Sequence, residues 1–202
     1  MKIPRLKMII SITGLILLAV VIVVSIVTQK EADYTRRTMG AAGNARALVL
    51  FHPSRDARFS DDIAVELAAG FNAAGYVVDL VTMTSETPAE PREYGLIGVV
   101  SNTYYWAPDL PTTRYLARAQ FADIPAVGLM CGAGSTARAR GILDEALRGA
   151  GARVLETRSF WLWRPNDEGR LSEPNREVAR QMARRFGLET ARTTLVTETI
   201  RP

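Results

Sequence analysis

The sequence predicts a three-layer α/β domain, a parallel sheet covered by helices on both faces, behind one helix able to span a bilayer. Three observations predict it. Five short apolar runs bounded by turn residues lie between residues 46 and 163, and amphipathic helical stretches follow most of them. Residues 8–28, "MIISITGLILLAVVIVVSIVT", hold no charge over 21 positions. The net charge of +4 belongs to residues 1–44, which leaves residues 45–202 with 19 arginines against 19 acidic side chains.

The chain opens with a basic tail, residues 1–7, carrying Lys2, Arg5 and Lys7. The apolar run 8–28 would rise about 30 Å as a helix, enough to cross the hydrocarbon of a bilayer. It is longer than a signal-peptide core and no small-residue cleavage pattern follows it, so it reads as a retained single-pass anchor with the lipid bilayer as its partner. The flanking cations suit anionic headgroups. Lys2, Arg5 and Lys7 face Lys30, Arg36, Arg37 and Arg46 across the span. That balance nearly ties the positive-inside comparison, and the short amino tail leans the domain to the extracytoplasmic side. Residues 29–44, "QKEADYTRRTMGAAGN", are polar and aperiodic and read as a linker.

The domain proper is expected over residues 45–187. "RALVLF" (46–51) is a buried strand. "SDDIAVELAAGFNAAG" (60–75) is a helix, with Ser60 as cap, two acids in its first turn and a closing glycine. "YVVDLVTM" (76–83) and "YGLIGVVS" (94–101) are strands, and the Pro-rich 84–93 between them is a turn or short crossover. A short helix (112–121), a strand (125–131), a helix (135–151), a strand (152–163) and a helix with early Pro and closing Gly (173–187) complete the series. Residues 188–202 read as an extended tail. Right-handed crossovers arrange five parallel strands in the order 2-1-3-4-5, which puts a crevice beyond the carboxyl ends of strands one and three.

Composition removes several function classes. The basic surplus sits around the anchor, so it is no argument for nucleic acid, which needs a basic face on the folded part. One cysteine, Cys131, excludes an internal disulfide, and with one histidine, His52, a metal site would need mostly carboxylate ligands. No Walker sequence, G-x-G-x-x-G or nucleophile elbow occurs.

Three loops meet the expected crevice. "FHPSRDARFSDDIA" follows strand one and brings Ser54, Arg55, Arg58 and Ser60 beside Asp56, Asp61 and Asp62. "SNTYYWAPD" follows strand three and puts Ser101, Thr103, Tyr104, Tyr105 and Trp106 at its mouth. Three successive aromatics on a turn either pack on the sheet rim or hold a flat molecule by stacking. "CGAGSTA" follows strand four, and Gly132, Ala133 and Gly134 let backbone approach a ligand closely. Ser60 also reads as an ordinary N-cap, Cys131 as a buried thiol and His52 as a structural residue. "FWLW" (160–163) reads as a lid or as a cover for the sheet edge.

Element order and these loops resemble the flavodoxin-like family over residues 45–187. In that family a hydroxyl-rich loop, often S-x-T-G-N-T, holds the phosphate of FMN. Ser54 and Ser60 match its first and last hydroxyls, while the Gly and middle Thr are missing and the loop is about one residue longer. The family's G-S-P-T-Y-W-G loop flanks the isoalloxazine ring; Ser101, Thr103 and Tyr104 match it, Tyr105 stands at the Trp position, Trp106 follows and Asn102 replaces Pro. The resemblance implies FMN as cofactor, bound by Ser54, Arg55, Arg58, Ser60, Ser101, Thr103, Tyr104, Tyr105, Trp106, Gly132, Ala133 and Gly134, with no catalytic side chain. It implies electron transfer with a redox partner protein or small acceptor. An FMN-dependent reductase of quinones and a flavin-free interaction domain are the alternatives.

Overall fold

The computed structural model describes residues 5–40, 45–54 and 58–200. They form two compact units, Met1–Lys30 and Glu31–Pro202. The first is helix α1, Arg5–Thr28, whose residues 9–26 are long and apolar enough to cross a membrane. Within it the Ser25 hydroxyl donates to the Val21 carbonyl at 2.7 Å, which satisfies a polar group on an apolar helix.

The second unit runs β1 (Arg36–Met39), β2 (Arg46–Phe51), α2 (Phe59–Ala73), β3 (Val77–Thr82), β4 (Leu96–Tyr104), β5 (Ala107–Pro108), α3 (Leu110–Leu116), β6 (Pro125–Gly132), α4 (Ala137–Gly149), β7 (Arg153–Trp161) and α5 (Asn175–Ile200). The main path of the sheet is β1-β3-β2-β4-β6-β7, with β5 attached to β4. Strands β3, β2, β4, β6 and β7 are parallel and stand in the order expected for the five apolar runs. Successive residues of a strand face opposite sides. Val49, Val100 and Leu129 meet Leu67 and Phe71 of α2 and Phe186 of α5 on one face. Leu50, Val99 and Met130 meet Tyr115 of α3 and Leu143 and Leu147 of α4 on the other. The architecture is a flavodoxin-like three-layer sandwich.

Four local expectations are corrected. The stretch read as a linker contributes β1, which pairs antiparallel with β3. Its sequence, RRTM, has no apolar signal because a buried carboxylate recruits it. Asp79 on β3 is fully buried and accepts from Arg36 at 2.8 Å, Arg46 at 2.6 Å and Tyr94 at 2.7 Å, and from the Thr38 hydroxyl. Burial pushes its pKa up, and these donors override that and hold the carboxyl below its ordinary range. The sheet is therefore one edge strand and one hairpin larger than five parallel strands.

The last helix does not stop at Gly187, and the segment read as an extended tail continues it to Ile200. A Cβ on Gly187 would lie 2.7 Å from the Leu67 carbonyl oxygen, and one on Gly70 would lie 2.8 Å from the Leu188 nitrogen. These two glycines let α2 and α5 touch backbone to backbone, so Gly187 serves close packing and not termination. Helix α3 begins two residues earlier than its pattern suggests because Asp109 caps it, accepting from the Thr112 N–H at 2.9 Å. Helix α2 begins at Phe59 after Arg58 in a left-handed conformation, φ 54°, so Ser60 is not its cap. The Pro-rich crossover between β3 and β4 holds no helix. Arg118 pins it through the carbonyls of Thr84 and Thr87 at 2.8 and 2.7 Å, and the Tyr115 hydroxyl through Pro88 at 2.9 Å.

Candidate functional site

The loops after β2, β4 and β6 converge beyond the carboxyl ends of the central strands, at the switch point of the sheet. A hollow of about 130 Å³ there is lined by Ser54 and Phe59, by Asn102, Thr103 and Tyr104, by Cys131, Gly132 and Ala133, and by Leu162. A second, of about 230 Å³, lies between Tyr105–Trp106 and Ala133–Ser135 and shares Thr103 and Ala133 with the first. The fold thus brings together Ser54, Thr103, Tyr104, Tyr105, Trp106, Gly132, Ala133 and Gly134. The close packing at this end depends on Gly132, where a Cβ would lie 2.7 Å from Thr136 Cγ2 and 3.2 Å from Thr103 Oγ1.

The aromatics cap a tight hairpin. Tyr104 pairs with Ala107, and the two residues between them have positive φ, 51° at Tyr105 and 59° at Trp106. Two-residue hairpin turns of this kind favour Asn-Gly, since side chains with a Cβ are disfavoured there. Large aromatics in this backbone cost of order 1–3 kcal/mol each. Both remain over half exposed, 54% and 60%, so core packing does not offset that cost. Strained backbone of this kind clusters at functional sites.

The strained turn stands on a rigid base. The fully buried Asp109 accepts from the Asn102 N–H at 2.9 Å and from its Nδ2 at 3.1 Å, besides capping α3. Asn102 Nδ2 also reaches the His52 carbonyl at 2.9 Å, and His52 Nδ1 lies 3.3 Å from Asp109. Burial pushes the Asp109 pKa up, but His52, Thr112 and Asn102 outweigh it and the carboxyl titrates below its ordinary range. One buried carboxylate therefore ties the first loop, the second loop and α3 together. His52, expected to be structural, is buried, and the acid beside it is Asp109.

The wall shared by both hollows is polar as well. Thr103 Oγ1 is buried there with no hydrogen-bond partner among the described residues. Cys131 is a quiet wall: burial pushes its thiol pKa up, so it stays protonated.

The loop after β2 is less open. The Ser54 N–H donates to Asp61 Oδ2 at 3.0 Å, so a carboxylate of this chain already takes one donor of that loop. Ser60 is fully buried and its hydroxyl donates to the His52 carbonyl at 2.9 Å, away from any ligand. Ser101 is likewise buried, with its hydroxyl 3.4 Å from Asp109. The Arg58 side chain is 81% exposed and 3.7 Å from Asp61. Arg55 and Asp56 lie outside the described residues.

Phe59, Asn102 and Ser135 also line the hollows and were not singled out in the sequence, whereas Leu162 lies in the stretch read as a lid or an edge cover. Leu162 was within reach, since it continues the alternation of β7 after the buried Phe160. Its loop is clasped to the third loop, with the Leu162 N–H on the Gly132 carbonyl at 2.9 Å and the Trp163 N–H on Ala133 at 3.1 Å. In "FWLW", Phe160 covers the sheet and Leu162 closes the first hollow.

No protein-family model and no curated protein sequence matches the chain. Solved structures do. A flavodoxin from the domain Archaea superposes with a TM-score of 0.58 at 17% identity, over 74% of this chain and 98% of that one. An NAD(P)H:quinone oxidoreductase from Methanothermobacter marburgensis gives 0.54 at 16% identity, over 73% and 96%. The flavodiiron protein from Giardia intestinalis gives 0.56 at 17% identity, over 78% of this chain and 38% of its own. At these identities the likeness is one of fold, and the fold is that of the flavodoxins.

Proposed function

We propose that the crevice binds FMN and that the domain transfers electrons at a membrane in which α1 anchors it. The observation that carries this reading is the Tyr105–Trp106 turn, strained, exposed and held on the buried Asp109 clamp at the switch point. Bound there, the flavin would supply the redox chemistry that no side chain of the site provides. Tyr105 and Trp106, with Tyr104, flank the ring. The Thr103 hydroxyl would be free to bond to it, and Gly132 to Gly134 would admit backbone beside it. Ser54 and Arg58 remain for the phosphate, with Asp61 as a competitor, so the ring provides most of the affinity.

A second reading is a reductase of small quinone-type acceptors. The exposure of Tyr105 and Trp106, 54% and 60%, favours it, because a ring held there would stay open to another flat molecule.

The test is titration of the full chain in detergent micelles with FMN and riboflavin, followed by flavin fluorescence. Quenching by both is expected, lost by roughly tenfold or more for Trp106→Ala, as typical stacking contributions imply. Arg58→Glu weakens FMN and leaves riboflavin unchanged. If neither flavin is quenched at high micromolar protein, the site is not a flavin site and the interaction-domain reading replaces it. Oxidation of added NAD(P)H by the loaded protein separates reductase from carrier.

A further inference from the structure

The third loop closes the aromatic crevice with one side and opens another hollow with the other. This hollow, about 430 Å³, lies between the start of α4 and the end of β7 and shares Gly134 and Ser135 with the flavin side. Its charged lining is Arg140, Arg158, Arg164 and Glu156. Glu156 is paired with Arg158 at 2.5 Å, and the Arg158 guanidinium also lies 4.3 Å over the Phe186 ring. Among the described residues Arg140 and Arg164 have no carboxylate partner. Arg148, Arg176 and Arg180 on the neighbouring helices are matched by Asp144, Asp62 and Glu66, and Arg140 and Arg164 are set apart by lining the same hollow. Two uncompensated guanidinium groups thus face one hollow in a domain whose net charge is zero.

The wall between them is preset. The Arg164 guanidinium lies 4.7 Å over the Trp161 ring. The Trp161 indole N–H donates to Thr136 Oγ1 at 2.9 Å, and Thr136 donates to Ser159 at 2.7 Å. Asn166 brackets the Trp161 backbone, accepting from its N–H at 2.9 Å and donating to its carbonyl at 2.7 Å, and Asn175 reaches the same carbonyl at 2.9 Å. A stacked guanidinium keeps its planar donor fork and loses little freedom on binding, which suits a carboxylate or phosphate.

We infer that this hollow binds the oxyanion group, carboxylate or phosphate, of a small molecule whose flat part reaches the aromatic crevice past Gly134 and Ser135. The oxyanion site stands on Arg140, Arg164 and Trp161. Only the reach of a flat part into the aromatic crevice rests on the flavin reading.

The test is calorimetric titration of the flavin-free full chain in detergent with inorganic phosphate and, separately, with malonate, at constant ionic strength. Saturable binding of at least one is expected, and which one binds tells phosphate from carboxylate. An Arg140→Ala/Arg164→Ala variant should lose roughly tenfold or more, a loss of the size expected for charge-assisted contacts. The Lys/Lys variant, with charge but no fork, should fall between. Arg192→Ala, an exposed change on α5, should bind as the parent does, with equal melting temperatures confirming the fold of all variants. No saturation with either probe, or equal binding by the Ala/Ala variant, overturns the site. Trp106→Ala leaves this binding intact while it weakens flavin binding roughly tenfold or more, so failure of one site is distinguishable from failure of the other.

Discussion

At the scale of single residues the site is a set of local sacrifices made for exposure. Tyr105 and Trp106 sit where Asn-Gly would rest without strain. Replacing them by Asn and Gly should raise unfolding stability by about 1–3 kcal/mol for each residue relieved, measured by chemical denaturation, while flavin affinity falls at least about tenfold. A swap that leaves both unchanged would show the turn to be unstrained and unused. Asp61 makes the opposite trade. Its carboxylate accepts the Ser54 N–H and repels an incoming phosphate. Asp61→Asn removes one unit charge at close range, about 1 kcal/mol or more, so FMN affinity should rise severalfold with riboflavin unchanged. Fluorescence titration of both flavins reads the difference. The aromatics were legible in the sequence because three large flat side chains on a turn are rare. The Asp109 clamp was not, since His52 and Asn102 lie 50 positions apart and no local pattern links them.

At the scale of elements, two contacts decide what the periodicity left open. Gly70 and Gly187 hold α2 against α5. In an isolated helix Gly→Ala gains about 1 kcal/mol. Here Gly70→Ala should instead lose about 1–3 kcal/mol, because the new methyl meets backbone that cannot yield. The midpoint of urea unfolding gives the sign. The second contact is Asp79, which fastens β1 to β3. Its carboxyl ionises below its ordinary range, so the unfolded chain takes up the proton first as the solution is acidified. The stability it contributes is complete above about pH 4 to 5 and declines below, toward the folded-state pKa. Unfolding free energies of the parent and of Asp79→Asn should differ at pH 7 and converge as pH falls below about 4. A gap that stays constant to pH 3 would remove the carboxylate from the account of this edge.

At the scale of the whole molecule, the boundary between the two units falls at Lys30 and Glu31. A chain beginning at Glu31 should unfold cooperatively. One beginning at Ala45 loses Arg36 and Thr38 from a buried carboxylate, so it should be less stable by roughly 3 kcal/mol or more. Comparing the two in guanidinium checks this, and equal midpoints would return residues 31–44 to the status of a tether. The sequence by itself determined the apolar span, the five parallel strands and their order, because burial is periodic along the chain and right-handed crossovers leave few arrangements. It also located the crevice, since the switch point follows from strand order. Only the tertiary structure decided that an RRTM segment is a strand, that Gly187 is a contact and not a stop, that Ser60 and Ser101 turn inward, and that Asp61 takes a donor of the phosphate loop. Each of these depends on a polar or backbone contact between distant segments. Such contacts follow from where the folded chain places a partner, and hydrophobic periodicity carries no information about them.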